Sequence, residues 1–137
     1  MRLMVLNGSP RADGNTAAVI DKFLDGMYDH YESFKGDHPA LFTNTLNLHG
    51  MDVKPCQACD MCKGNGGKCI IRDDGQHVIN KYRACDTIVF ATPLYWWGVS
   101  AQMKAAMDRM YAIDKKEFEG KRVIVFTVGA SGVGTAA

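Results

Sequence analysis

The sequence has almost no net charge: 16 Lys and Arg stand against 15 Asp and Glu, a balance of +1. That argues against nucleic acid or a membrane surface as its main partner. No apolar run comes near the ~18–20 residues that a bilayer-spanning helix needs. The opening stretch, Met1 to Gly8, turns polar too soon for a signal peptide, so a cytoplasmic location is expected. No repeat, low-complexity tract or boundary interrupts the 137 residues, and one domain over 1–137 is expected. Also missing are the Walker Gly-Lys-Ser/Thr and the G-x-G-x-x-G fingerprint, which excludes two common nucleotide loops. Neither a catalytic triad nor a carboxylate pair can be found.

What is present reads as alternating strands and helices. Leu3 to Leu6 is a short apolar run ending at Asn7-Gly8, as in a strand buried on both faces. A helix is expected from Asn15, with Val19, Ile20, Phe23, Leu24 and Met27 on one face, and Asp29 to Pro39 as a loop. Leu41 to Leu48 is a weaker strand. Asp73, with Gln76 three residues on, has the capping-box pattern for a helix running to about Ala84. Thr87 to Ala91 is a strand that Pro93 to Gly98 ends. Ser100 caps a helix with Met103, Met107, Met110 and Tyr111 inward and Lys104 paired with Asp108. Val123 to Thr127 is a further strand. Such alternation predicts a parallel α/β sheet with helices on both faces.

Three stretches carry chemistry. Gly8-Ser9-Pro10-Arg11-Ala12-Asp13-Gly14-Asn15-Thr16 lies between a strand and a helix, where small residues let backbone N–H groups approach an anion. Ser9, Asn15 and Thr16 add donors and Arg11 a charge. The plainer reading is a strand-to-helix turn. Pro93-Leu94-Tyr95-Trp96-Trp97-Gly98 sits at the carboxyl end of a strand, where ligands of open α/β sheets bind. Its aromatics can flank a flat ring or pack on the core. Third, Cys56, Cys59, Cys62 and Cys69 form a tight cluster, as in metal or redox sites, while Cys85 reads as a small buried apolar residue. His30, His38, His49 and His77 fall outside every motif.

GSPRADGNT, the C-x2-C-x2-C-x6-C loop, Asp73-Asp74 and TPLYWWGVSAQMKAAMDR, in that order, resemble the flavodoxin-like NAD(P)H-dependent FMN reductases, most closely their iron–sulfur flavoprotein branch. The resemblance implies a flavodoxin-like open parallel sheet of order 2-1-3-4-5 with FMN at its carboxyl edge. It implies that Ser9, Arg11, Asn15 and Thr16 hold the phosphate and that Pro93, Leu94, Tyr95, Trp96 and Gly98 line the isoalloxazine. Gly129, Ala130, Ser131 and Gly132 would meet the pyrimidine side, where backbone donors suit the charge of a reduced flavin. It further implies that Cys56, Cys59, Cys62 and Cys69 ligate one [4Fe–4S] cluster. Lys54, Lys63, Lys68 and Arg72 against Asp60 give the local charge that would offset four thiolates. A four-thiolate zinc site and metal-free cysteines stay open beside it. The Asp108-Arg109 pair is expected to anchor its helix or a subunit contact by ion pairing.

Three functions compete on this reading. The first is an FMN-dependent oxidoreductase that takes hydride from NAD(P)H and passes electrons to a quinone, flavin or similar acceptor. The second is an electron carrier, with a ferredoxin-like donor feeding the cluster and then FMN. The third is a non-catalytic FMN-binding module. The first two need no acid–base residue, because the flavin carries the chemistry. Val123 to Phe126 reads as buried on both faces yet would be an edge, so either the chain is truncated or a partner in a homodimer or homotetramer covers that edge. Only four parallel strands can be counted, with the last strand and helix of the five-stranded pattern missing.

Overall fold

The computed structural model describes residues 1–34 and 36–130. In chain order its elements are β1 (Arg2–Asn7), α1 (Asn15–Ser33), β2 (Phe42–Asn47), the one-turn α2 (Met61–Gly64) and α3 (Gly75–Ala84). They continue with β3 (Thr87–Tyr95), β4 (Gly98–Val99), α4 (Ala101–Arg109) and β5 (Arg122–Val128). The four long strands are parallel in the order β2-β1-β3-β5, the 2-1-3-4 arrangement expected of the four long strands. The two-residue β4 is an addition. It folds back antiparallel on the end of β3, pairing Leu94 with Val99 and Tyr95 with Gly98.

Strand β1 sits inside the sheet and has no polar face because both of its faces are covered. Met4 and Leu6 pack on one side with Val78, Ile79, Ile88 and Met103, brought by α3, β3 and α4. Leu3 and Val5 pack on the other with Ile20 of α1, Val89 and Ala91, flanked by Phe23 and Leu24. Each such buried side chain contributes about 1.5–3 kcal/mol relative to exposure. Parallel strands bring their carboxyl ends to one edge, so the turns after β1, β3 and β5 meet there.

Several local expectations give way to tertiary contacts. Helix α1 extends through Ser33 into the stretch expected to be loop; its last turn, with Tyr31 and His38 in edge contact, replaces the break expected at Asp29. Strand β3 continues through Pro93 to Tyr95, because β5 pairs with it as far as Pro93 and β4 pairs with Leu94 and Tyr95. The inward face of α4 is Met103, Ala105, Ala106 and Arg109, while Met107 and Tyr111 are exposed. The expected Ser100 cap is present, accepting from the Met103 N–H at 3.2 Å, as is the Lys104–Asp108 pair. Strand β5 is buried on one face only: Ile124 and Phe126 meet α1's side of the sheet, whereas Val123 and Val125 are 57% and 59% exposed.

The capping box at Asp73 does not form. Asp74 takes the N-cap position of α3 and no side chain caps it. The Asp73 carboxylate instead accepts from the N–H of Lys54 and of Gly75 and from the Arg109 guanidinium. Gln76 accepts from the N–H of Cys69 at 2.8 Å. Asp73 thus keeps one local bond, to the first N–H of α3, while its remaining acceptor capacity goes to Lys54 and Arg109, and Gln76 is taken by the cysteine loop.

Candidate functional site

At the carboxyl edge of the sheet lies a cleft of about 440 Å³ lined by Ser9, Arg11, Asn15, Thr16, Pro93, Leu94, Tyr95 and Gly129, all named from sequence. Asp13, Gly14, Val128 and Ala130 complete it. Trp96 and Gly98 do not line it, and Ser131 and Gly132 lie outside the described residues. Its floor is the loop after β1. The buried Asn7 accepts from the Ser9 N–H at 3.0 Å and donates to Asn47 at 3.1 Å, while the Ser9 hydroxyl accepts from the Arg11 N–H at 3.1 Å. Gly8 is required by close approach: a Cβ there would lie 2.9 Å from both Met103 Cβ and Ser100 Oγ. Ser100 Oγ donates to Gly8 O at 2.6 Å, fastening the start of α4 to this loop.

The start of α1 has no side-chain cap: its N-cap is Gly14, and no acidic residue stands in the first turn. A helix start lacking these leaves backbone donors and the positive end of the dipole for a ligand. Beside it, Tyr95-Trp96-Trp97-Gly98 is a two-residue hairpin turn with Trp96 at φ 48° and Trp97 at φ 66°. Turns of this kind usually take Asn-Gly. Two tryptophans held left-handed cost of order 1–3 kcal/mol each and stand 95% and 71% exposed at the cleft's rim. That a tight turn would place Trp96 at its tip, away from the lining, was hidden by its non-glycine sequence.

A second concavity gathers Cys56, Cys59, Cys62 and Cys69 around one narrow cavity of about 20 Å³, with Arg109 and Tyr111 in its wall. Ala58 at φ 52° and Asp60 at φ 56° wind the loop left-handed between the first three cysteines, and the Ala58 N–H donates to Cys56 Sγ at 3.5 Å. Among the described residues, no three His, Cys, Asp or Glu groups are placed to hold a single metal ion. The end of α4 clamps this loop. Tyr111 donates to Asp60 at 3.0 Å, and Lys63 Nζ lies 3.9 Å from the centre of the Tyr111 ring. Arg109 donates to Lys54 O at 2.9 Å and to both Asp73 oxygens at 2.7 and 2.8 Å.

The side chains of Arg109 and Asp73 are completely buried. Burial alone would raise the Asp73 carboxyl, but hydrogen bonds from Arg109, Lys54 and Gly75 outweigh it and hold the group below its ordinary range. Burial likewise opposes the Arg109 charge; the bond to Asp73 and the nearness of Cys69 outweigh that and hold it above its usual value. The expected anchoring role of Arg109 therefore runs through Asp73, while Asp108 pairs with Lys104. The spacing of Asp73 before its helix was the available signal, spent on the wrong partner. Cys85 is buried as expected, and none of the four histidines lines either concavity.

Comparison with known proteins agrees with this geometry. The chain is 34% identical over 109 residues to an iron-sulfur flavoprotein of Methanocaldococcus jannaschii, covering 80% of itself and 51% of that protein. It is 38% identical over 132 residues to an iron-sulfur flavoprotein of Archaeoglobus fulgidus, covering 94% of itself and 62% of that relative. It thus spans between half and two-thirds of these relatives' length. In fold it is similar to an azoreductase of Bacillus anthracis, with a TM-score of 0.72 at 12% identity, over 96% of this chain and 70% of that one. The family whose model matches residues 1–137 is described as NADPH-dependent FMN reductase, and the chain belongs to it.

Proposed function

We propose that this chain is an FMN-dependent oxidoreductase that takes electrons from NAD(P)H and delivers them to a quinone, flavin or similar small acceptor. The observation that carries the reading is the cleft at the sheet edge, where the uncapped start of α1 meets the ends of β3 and β5. The residues fit the group. Ser9, Arg11, Asn15 and Thr16 supply donors and one positive charge for a phosphate. Pro93, Leu94 and Tyr95 supply an apolar wall for a flat ring, and Gly129 lies beside Leu94, where a Cβ would be 3.5 Å from its Cδ1. When bound, FMN supplies the hydride and electron transfer, so the chain's task is to bind, orient and shield. The test is anaerobic: the FMN-loaded protein is mixed with NADH or NADPH and the flavin absorbance followed. Bleaching by either, reversed by a quinone, supports the reading; no change with both opposes it.

A second electron source is favoured by the cysteine cavity. Four thiols, which bind iron–sulfur clusters as thiolates, share one cavity beside a buried cation, and the curated relatives above are named iron-sulfur flavoproteins. On this reading Cys56, Cys59, Cys62 and Cys69 hold a [4Fe–4S] cluster that a ferredoxin-like donor reduces. The stretch from Cys56 to Asp60 that supplies two of these thiols is exposed. Iron and acid-labile sulfide assays on anaerobically reconstituted protein decide it: near four of each per chain supports the cluster, and neither rules it out.

A further inference from the structure

The Arg109 guanidinium is 1% exposed, and its Nε has no hydrogen-bond partner. Orphaned polar atoms at this depth are uncommon, because leaving one unpaired costs about 1–3 kcal/mol and more for a charged group. Three of the other four N–H groups go to Asp73 and Lys54 O, which fixes its plane. A third contact fixes it from behind: Gly75 approaches so closely that a Cβ there would lie 2.6 Å from Arg109 Cζ. The wall that Arg109 shares is that of the cysteine cavity, with Cys69 beside it. Cys69 is itself held by Gln76 through its N–H.

We infer that Arg109 is a positioning residue that sets the electron affinity of the group bound by the four cysteines, donating from its free side to the Cys69 sulfur. The inference rests on the cluster reading above. Asp73 is the counter-charge that keeps the guanidinium fixed: it binds both terminal nitrogens and leaves Nε free. One-electron reduction adds one negative charge to the cluster and its thiolates, taken from the donor. A fixed cation in a site of low dielectric favours that state, and charge-assisted hydrogen bonds to the sulfurs act in the same direction. Helix α4 also ties this group to the flavin cleft. It starts at Ser100 against Gly8 and ends at Arg109, about 13 Å on for nine residues.

The test compares wild type, Arg109→Lys and the charge-neutral double variant Asp73→Asn/Arg109→Gln, each reconstituted anaerobically with iron and sulfide. FMN fluorescence quenching reports folding, and dithionite titration reports the one-electron midpoint. Arg109→Lys keeps a charge and loses the planar fork, so its equilibrium constant for reduction is expected to fall about tenfold, or ~59 mV. The double variant is expected to fall further; should it not fold, Arg109→Lys decides alone. Cluster-loaded Arg109→Lys with the wild-type midpoint overturns this inference and leaves the cluster reading standing. Wild type that binds no iron overturns both.

Discussion

Helix α1 opens on a glycine where most helices would place Ser, Thr, Asp or Asn, and Gly14→Asp tests why. At φ −87° and ψ 176° the backbone there accepts any residue, and the new Cβ would lie 3.3 Å from Arg11 Cβ and 3.5 Å from Ser9 Oγ, tight but tolerable. In the ligand-free protein the aspartate caps the helix. Replacing Gly by a good cap gains a few tenths of a kcal/mol, and a carboxylate at the positive end of the dipole gains about 0.3–1 more. A total of about 0.5–1.3 kcal/mol raises the melting temperature by roughly 2–5 °C for a chain of this size. The same carboxylate competes for the donors proposed to receive the FMN phosphate, and repels it. At 4 Å, two unit charges oppose each other by about 1–4 kcal/mol for effective dielectrics of 80 to 20. FMN affinity, read by flavin fluorescence quenching, is therefore expected to fall at least about fivefold while apo stability rises. Gly14→Ser, which caps without charge, should fall between. If Gly14→Asp stabilises the apoprotein yet binds FMN as wild type does, the phosphate is not at the start of α1, and the assignment of Ser9, Arg11, Asn15 and Thr16 fails with it.

Three further expectations follow from packing and charge. Gly8→Ala forces a methyl against Met103 and Ser100; overpacking of this kind costs about 1–3 kcal/mol, read as a lower urea midpoint, and an unchanged midpoint contradicts the close approach. Asp73 is held below its ordinary carboxylate range, so its contribution to stability is full above about pH 4 and is lost as pH falls through the lower, folded value. The acid limb of a stability–pH curve should thus be shallower in Asp73→Asn/Arg109→Gln than in wild type; parallel limbs would count against the pair. In the cluster-free protein, Cys56 and Cys59 are exposed while Cys85 is buried, and burial pushes its thiol up. Brief alkylation read by mass spectrometry should mark Cys56 and Cys59 first and Cys85 only on unfolding; early marking of Cys85 refutes its burial.

The parts of the fold readable from sequence were those where local pattern and tertiary role coincide. Leu3 to Leu6 and Thr87 to Ala91 are apolar throughout because they lie inside a sheet covered on both sides, and no competing structure suits such runs. Ser100 could be named a cap because its hydroxyl serves α4 directly. Eight of the residues named for the cleft do line one concavity, because the ends of parallel strands and the turns after them meet at one sheet edge. The misreadings fall where a residue's partner is distant in sequence. Met107 and Tyr111 have helical spacing with Met103, yet the inward position went to Arg109, because Asp73 lies 36 residues away and compensates its charge. Val123 and Val125 look like core from composition, but whether β5 is covered depends on what packs there, which a strand's own residues do not encode.

A completely buried arginine and aspartate are poor value as a stabilising device. Desolvating two charges costs several kcal/mol per ion, and replacing such pairs by apolar residues is often neutral or better. Stability alone therefore does not account for Arg109 in a helix face otherwise made of Met and Ala. Removing either partner costs about 3–5 kcal/mol, so the pair is easily kept once present, but that explains retention and not location. Its location is the informative part. The guanidinium satisfies Asp73 and the Lys54 carbonyl with its terminal nitrogens and leaves Nε unpaired, in a residue that lines the concavity shared by four thiols. A purely structural pair would be expected to spend every donor. Here Nε is left without a partner, at the end of the helix whose other end is fastened to the loop after β1.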